Sequence, residues 1–291
     1  QVFTVNITVL VQNITNGTII NNTANISLQN STGDIIQLNV TENTTVLDPL
    51  LICPRSITTS TTLTANRTCP STAIILNADN ITFDCAGFTI AWDAEGGGSD
   101  SGVVAVGRSN VTVRNCVIVD VNRSGAGGIG INFTGTNRSL ILNTSIQTNG
   151  TTLNHGILLR NSSNNRIVDT VSNASGTSSQ NQGVRLDQGA NNNTFIHDAF
   201  RTNGTFFDIG IYIEDSHNTT ILNSTVAALS ASSGIGIYVV TAGGGLPQST
   251  VIRQNNITTD GDGGSNEGVY IDDGADTVVS GNIIRTNSTV N

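Results

Sequence analysis

One short pattern constrains this chain more than any other: glycine, an apolar residue, any residue, then another apolar residue, returning at a nearly fixed interval. It reads Gly102-Val-Val-Ala, Gly130-Ile-Asn-Phe, Gly156-Ile-Leu-Leu, Gly183-Val-Arg-Leu, Gly210-Ile-Tyr-Ile, Gly236-Ile-Tyr-Val and Gly268-Val-Tyr-Ile. The interval is about 26–28 residues, and it stretches to about 32 only where Gly243-Gly-Gly-Leu-Pro247 is inserted. After each motif comes a polar turn rich in Asn and Ser. A second alternating stretch follows, such as Val111-Thr-Val113, Leu140-Ile-Leu142 or Thr220-Ile-Leu222, and then a third short apolar piece such as Val117-Ile-Val119 or Ile283-Ile284. Alternation with period two marks strands, and three pieces within one period are too short for helices.

A unit of three short strands cannot bury its apolar face alone, so successive units must stack as rungs, each strand hydrogen-bonding to its copy in the next rung. The predicted fold is all-β: a parallel β-helix over residues 51–291 with three strands per rung. Alternation places Ile157, Leu159, Val184, Leu186, Ile211, Ile213, Ile237, Val239, Val269 and Ile271 in interior columns. Asn115, Asn143, Asp169, Asn223, Asn255 and Asn282, near the ends of second strands, are expected to form an internal polar ladder at the turn. That expectation conflicts with glycosylation at Asn143 and Asn223, which are also acceptor sites.

The residues resemble the right-handed parallel β-helix repeat proteins of the pectate-lyase-like superfold over roughly residues 53–291. Leu63-Thr-Ala-Asn-Arg-Thr-Cys69, Ile81-Thr-Phe-Asp-Cys85-Ala-Gly-Phe-Thr-Ile90 and Asn110-Val-Thr-Val-Arg-Asn-Cys116 look like the first rungs of archaeal secreted members of that group. The resemblance implies architecture far more than function. Sugar-cleaving members work with clustered carboxylates, bound Ca²⁺ and a basic residue on outer strand faces.

Composition bears on location. Charged residues make up only 11% of the chain, all twelve basic residues are Arg, and the net charge is −9. About two dozen Asn-x-Ser/Thr acceptors occur where composition alone would give roughly eight or nine, so sugar is expected to keep the surface wet. They include Asn6, Asn13, Asn16, Asn21, Asn25, Asn30, Asn39, Asn43, Asn66, Asn80, Asn110, Asn122, Asn137, Asn161, Asn173, Asn203, Asn218, Asn256 and Asn287. Such density implies export to the cell surface. Cys53, Cys69, Cys85 and Cys116 then read as two disulfides, with Cys53–Cys69 and Cys85–Cys116 favoured by proximity. No run is long and apolar enough to span a bilayer. The acidic balance excludes the basic patches that nucleic acid requires.

Residues 1–50 differ in kind, with no Cys and no charge before Asp34. Phe3, Val5, Ile7, Val9 and Val11 alternate with polar residues as a half-buried strand would. Further strands are expected at Thr18–Ile20, Ile26–Leu28 and Ile35–Val40, separated by Asn/Gly turns. The segment is either a small β cap or a donor strand that covers the open end of a neighbouring subunit.

Candidate chemistry is sparse. Outward positions after the glycine motif give Arg160, Asp187, Glu214, Val240 and Asp272, and Asp187 and Glu214 could couple or bind a cation. Asp260, Asp262 and Glu267 carry part of a Ca²⁺-loop pattern, and no other cofactor is expected. His155, His197 and His217 are expected in turns and in different columns. No GxSxG, P-loop or HExxH occurs. Tyr212, Tyr238 and Tyr270 share one outward position and should form an external aromatic stack on strands that hold no acceptor. The reading that follows is an extracellular structural glycoprotein that self-assembles into a surface filament or array, partnered by itself and its sugars. The alternatives are an adhesin or glycan-binding β-helix, and a polysaccharide lyase, hydrolase or epimerase.

Overall fold

The computed structural model describes residues 19–29, 35–45, 53–95, 100–122, 124–241, 249–263, 266–272 and 274–287. Two compact units divide at Ile52 and Cys53. In the first, Ile19–Gln29 and Ile35–Thr45 form an antiparallel pair of long strands. The two short strands expected at 18–20 and 26–28 are therefore one, and the Asn-rich stretch between them is strand rather than turn. Here the ladder overrides a local turn preference. The Phe3–Val11 segment lies outside the described residues.

The second unit is a solenoid of three nine-stranded parallel sheets, and among the described residues it contains no helix. The first sheet carries the glycine motifs and runs from Arg55–Ile57 to Glu267–Asp272. The second runs from Thr61–Thr62 to Val278–Ser280, and the third from Arg67–Thr68 to Ile283–Asn287. Each strand pairs with its copy one period away, as Ile131 does with Ile157 and Val113 with Ile141.

Glycine recurs in the motif because nothing larger fits. A Cβ on Gly130 would lie 2.6 Å from the Gly156 carbonyl oxygen and against the Ile146 side chain from the third sheet. Gly183 and Gly210 face the same obstruction, each 2.6 Å from the carbonyl oxygen of the next motif glycine. Ladder pairing resumes on either side of the glycine, joining Ile129 to His155 and Ile131 to Ile157.

The interior holds aliphatic columns with Trp92, Phe83, Phe133, Phe195 and Phe200 between them, all fully buried. Full burial of such a side chain contributes roughly 1.5–3 kcal/mol, which is how strands of three residues hold together. Of the predicted columns, Ile157 through Val239 are buried, whereas Val269 is only partly so and Ile271 is exposed. The cause is position: no described rung stacks on Glu267–Asn287, so Val278, Val279, Ile283 and Ile284 are exposed with Ile271.

Polar ladders line the turns. At the second corner, Thr170 N–H donates to Asp198 Oδ1 (2.8 Å), Asp198 N–H to Ser224 Oγ (3.1 Å), Ser224 N–H to Asn255 Oδ1 (2.8 Å) and Asn255 N–H to Asn282 Oδ1 (2.8 Å). Asn115, Asn143, Asp169 and Asn223, expected in that ladder, sit one residue earlier at positive φ. Asn143, Asp169 and Asn223 are exposed and Asn115 half-buried. The left-handed residue reverses the chain, so the residue after it points inward. Asn255 and Asn282 do belong to the inner column, and the conflict between ladder and sugar at Asn143 and Asn223 disappears.

Disulfides join Cys53 to Cys69 and Cys85 to Cys116 across 16 and 31 residues. Loop closure gives each a stabilisation of about 3–4 kcal/mol, the longer loop the more.

Candidate functional site

The outer face of the first sheet concentrates the ionisable and aromatic side chains. Because neighbours along a strand alternate sides, the residue between the two buried apolar positions of each motif faces out. Register stacks these outward residues as Leu158, Arg185, Tyr212, Tyr238 and Tyr270. Two residues further along, Arg160 stacks on Asp187, Glu214 on Val240, and Val240 on Asp272.

These columns are joined by a continuous chain of contacts. Arg160 donates to both Asp187 oxygens, at 3.0 and 2.9 Å. Arg185 donates from Nε to Asp187 Oδ2 at 2.9 Å and from Nη2 to Glu214 Oε2 at 2.7 Å. Its guanidinium carbon lies 5.0 Å from the Tyr212 ring centre. Tyr212 and Tyr238 are 5.4 Å apart edge-to-face, and Tyr238 and Tyr270 are 5.0 Å apart and tilted. Arg160, Asp187, Glu214 and the tyrosines are expected from the sequence, and Arg185 is not. Its signal was present, since it fills the same motif position as Tyr212.

The electrostatics follow from burial and pairing. Burial pushes the Asp187 carboxyl up, but the hydrogen bonds from Arg160 and Arg185 outweigh it and hold the group below its ordinary range. Glu214 is raised by burial, an effect that Arg185 partly offsets. Tyr212 is pushed up to about 12, by burial first and then by Glu214. His155 opens the strand His155–Arg160 rather than sitting in a turn. Burial and then the Arg185 charge pull it down to about 3, so it is neutral. Both carboxylates in the cluster carry an arginine partner, and the strip is built for hydrogen bonding and ring stacking more than for proton transfer.

Other candidates lie apart. His197 and His217 are in turns at different corners, and His197 Nδ1 lies 3.7 Å from Asp169. Asp260 accepts from Asn287 Nδ2 at 3.2 Å, Asp262 is exposed and Glu267 half-buried. Among the described residues no three His, Cys, Asp or Glu side chains converge as a metal group would require. An open groove of about 550 Å³ lies at the second corner, against Asn115, Asn143 and Asp169. Asp169 is the one ionisable residue in its lining, and the ionic strip remains the better candidate.

The acceptor asparagines are distributed with a clear bias. From Asn66 to Asn287, every described one is exposed or half-buried. The asparagines that are buried, Asn154, Asn165, Asn181, Asn193 and Asn255, are not acceptors. In the N-terminal pair of strands, Asn21 lies opposite Asn43 and Asn25 opposite Asn39.

A three-sided parallel solenoid, stapled by disulfides and bearing an ionic and aromatic strip on one outer face, defines a right-handed parallel β-helix protein. The chain belongs to the family described as the right-handed β-helix region, whose model matches residues 51–226. Comparison with curated proteins gives no match. Among solved structures it is similar to a pectate lyase at 13% identity and TM-score 0.46, covering 80% of this chain and 66% of that one. It is also similar to the Dettilon tailspike protein (13%, TM-score 0.40, 79% and 60%) and to the periplasmic alginate epimerase AlgG (11%, TM-score 0.36, 78% and 62%). The chain thus spans less than two thirds of each of these structures, and the likeness is one of fold.

Proposed function

We propose that the chain is an extracellular structural N-glycoprotein that self-associates at a cell surface. The density of acceptors carries this reading: about two dozen occur where composition alone gives roughly eight or nine, and every described one from Asn66 to Asn287 is accessible. The disulfides support an oxidising, secreted setting. Among the described residues no helix is long and apolar enough to cross a membrane. Purified native protein is expected to run well above its 30.2 kDa polypeptide mass and to collapse toward it on enzymatic deglycosylation. An unchanged mass would remove the basis of this proposal.

Self-association draws support from the apolar edge of the last described rung and from the alternation of Phe3, Val5, Ile7, Val9 and Val11. A strand of that pattern from a second copy would cover Val279 and Ile284 by strand addition. Deleting residues 1–12 is expected to abolish fibres seen by electron microscopy while leaving the circular dichroism of the β-helix intact. Normal fibres from the truncated protein would rule out strand donation.

A second reading, recognition of a saccharide as in an adhesin, is favoured by the strip itself. Accessible aromatic rings rimmed by Arg and carboxylates are usual in such sites, and here Tyr270 is exposed with Tyr212 and Tyr238 half-buried beside it. Cleavage of a polysaccharide is less well supported, since Asp187 and Glu214 are tied to arginines.

A further inference from the structure

The turns joining the first sheet to the second carry an acceptor on six consecutive rungs: Asn80, Asn110, Asn137, Asn161, Asn192 and Asn218. Two pairs are in register and touch, with Asn110 Nδ2 donating to Asn80 Oδ1 at 2.9 Å and Asn218 Nδ2 to Asn192 Oδ1 at 3.0 Å, while Arg138 and Asn164 hold that column on the two rungs between. The row then stops. Neither the segment 241–250, after the Tyr238 strand, nor 273–277, after the Tyr270 strand, contains an acceptor. The aromatic row starts on the rung where the acceptor row ends, at Tyr212, and continues over the two rungs whose turns are bare.

We propose that the Tyr212–Tyr238–Tyr270 stack is a lateral contact site for N-linked sugars carried by the acceptor row of a second copy of this chain. The inference rests on the glycoprotein reading above and names the surface through which copies would meet. Three observations point to this occupant. Stacked rings with Glu214 and Asp272 alongside offer apolar faces for sugar C–H groups and acceptors for hydroxyls, the chemistry of a saccharide seat. The bare turns leave Tyr238 and Tyr270 clear of sugars attached to the turns that follow their own strands. The in-register acceptor pairs Asn80–Asn110 and Asn192–Asn218 and the tyrosines are each spaced by one rung, about 4.8 Å, so neighbouring sugars on one copy meet neighbouring rings on another in matching pitch. Contacts that are weak singly then reinforce one another, because once the first is made the next is effectively intramolecular.

The test compares glycosylated wild type, the triple variant Tyr212→Ser, Tyr238→Ser, Tyr270→Ser, and enzymatically deglycosylated wild type. Intact mass verifies the sugar content of each, and side-by-side association is measured by sedimentation velocity over a concentration series. The triple variant and the deglycosylated protein are each expected to lose at least tenfold in apparent affinity, with no further loss when the two changes are combined. N-glycans released from the same protein should compete with association of the wild type. Should the triple variant misfold, as judged by circular dichroism, Tyr270→Ser alone serves, since this ring is 40% exposed on the last described rung. Undiminished association of a folded tyrosine variant overturns the proposal. So does undiminished association after verified deglycosylation, which would make a protein surface the occupant. A wild type that carries sugar yet shows no lateral association overturns this contact while leaving the glycoprotein reading in place. A wild-type mass without sugar removes both.

Discussion

Replacing Gly210 with alanine is expected to destabilise the β-helix by roughly 3 kcal/mol or more, although glycine-to-alanine changes at unstrained positions usually stabilise by about 0.4–1 kcal/mol. The added methyl would lie 2.6 Å from the Gly236 carbonyl oxygen and against the Val226 side chain. The carbonyl belongs to a ladder strand and cannot swing away as the end of a flexible side chain could. Relief requires the rungs to separate, and in a solenoid each rung is stable only through its neighbours. Gly263 supplies the control, because its nearest neighbour to an added methyl is Ser232 Oγ at 3.7 Å. Gly263→Ala should leave the guanidinium midpoint of the non-reduced protein within the range of an ordinary surface change. Matching midpoints for the two variants would show that the recurrent glycine is not a packing requirement.

That glycine is also why so much of the fold was legible. A residue forced by close approach recurs once per rung, so its spacing reports the circumference of the solenoid, and period-two alternation around it reports which side chains point in. The tyrosine column came from the same two regularities. The corner ladder was misplaced by one residue because polar side chains occupy both adjacent positions, as in Asn143-Thr144 and Asn223-Ser224. Only a backbone reversal at positive φ decides which of the two turns inward. Arg185 was passed over because its role depends on two partners, Asp187 and Glu214, of which the second is supplied by the next rung. In the N-terminal unit, Asn-rich sequence between Ile20 and Ile26 suggested turns, yet cross-strand pairing with 38–44 holds it extended. Propensity in such a segment is a weak guide.

Lowering the pH from 8.5 to about 6.5 is expected to stabilise this protein, and Asp198→Asn should remove a substantial part of the effect; below pH 6.5 the buried neutral His155, pulled down to about 3, works in the opposite direction. Asp198 is buried in the second-corner ladder, where Oδ1 accepts the Thr170 N–H at 2.8 Å and Oδ2 has no hydrogen-bond partner. Burial raises its pKa from 3.8 to about 7, with Asp169 adding to the shift and two backbone donors opposing it. A carboxyl whose folded pKa lies above its unfolded value favours folding when protonated. Its contribution is therefore complete below about pH 3.8 and is lost as the pH climbs through 7. At 1.36 kcal/mol per unit, a shift of this size corresponds to about 2–4 kcal/mol once relaxation around the charge is allowed for. Asp120, raised to about 7, and Asp208, raised to about 6, both chiefly by burial, act in the same direction. Asn255 and Asn282 serve as the acceptor in the same column without any charge, so Asn at 198 can keep the Thr170 bond. Its NH₂ replaces an oxygen that has no donor nearby, and that cost of about 1–3 kcal/mol applies equally at every pH. The slope of stability against pH is therefore the quantity to compare, rather than stability at one pH. Denaturant midpoints measured from pH 4.5 to 8.5 should fall in the wild type as the pH rises past about 6.5, and fall less in the variant, with the two curves converging or crossing at high pH. Parallel curves would mean that Asp198 does not titrate in this range and that its charge is accommodated by the folded protein.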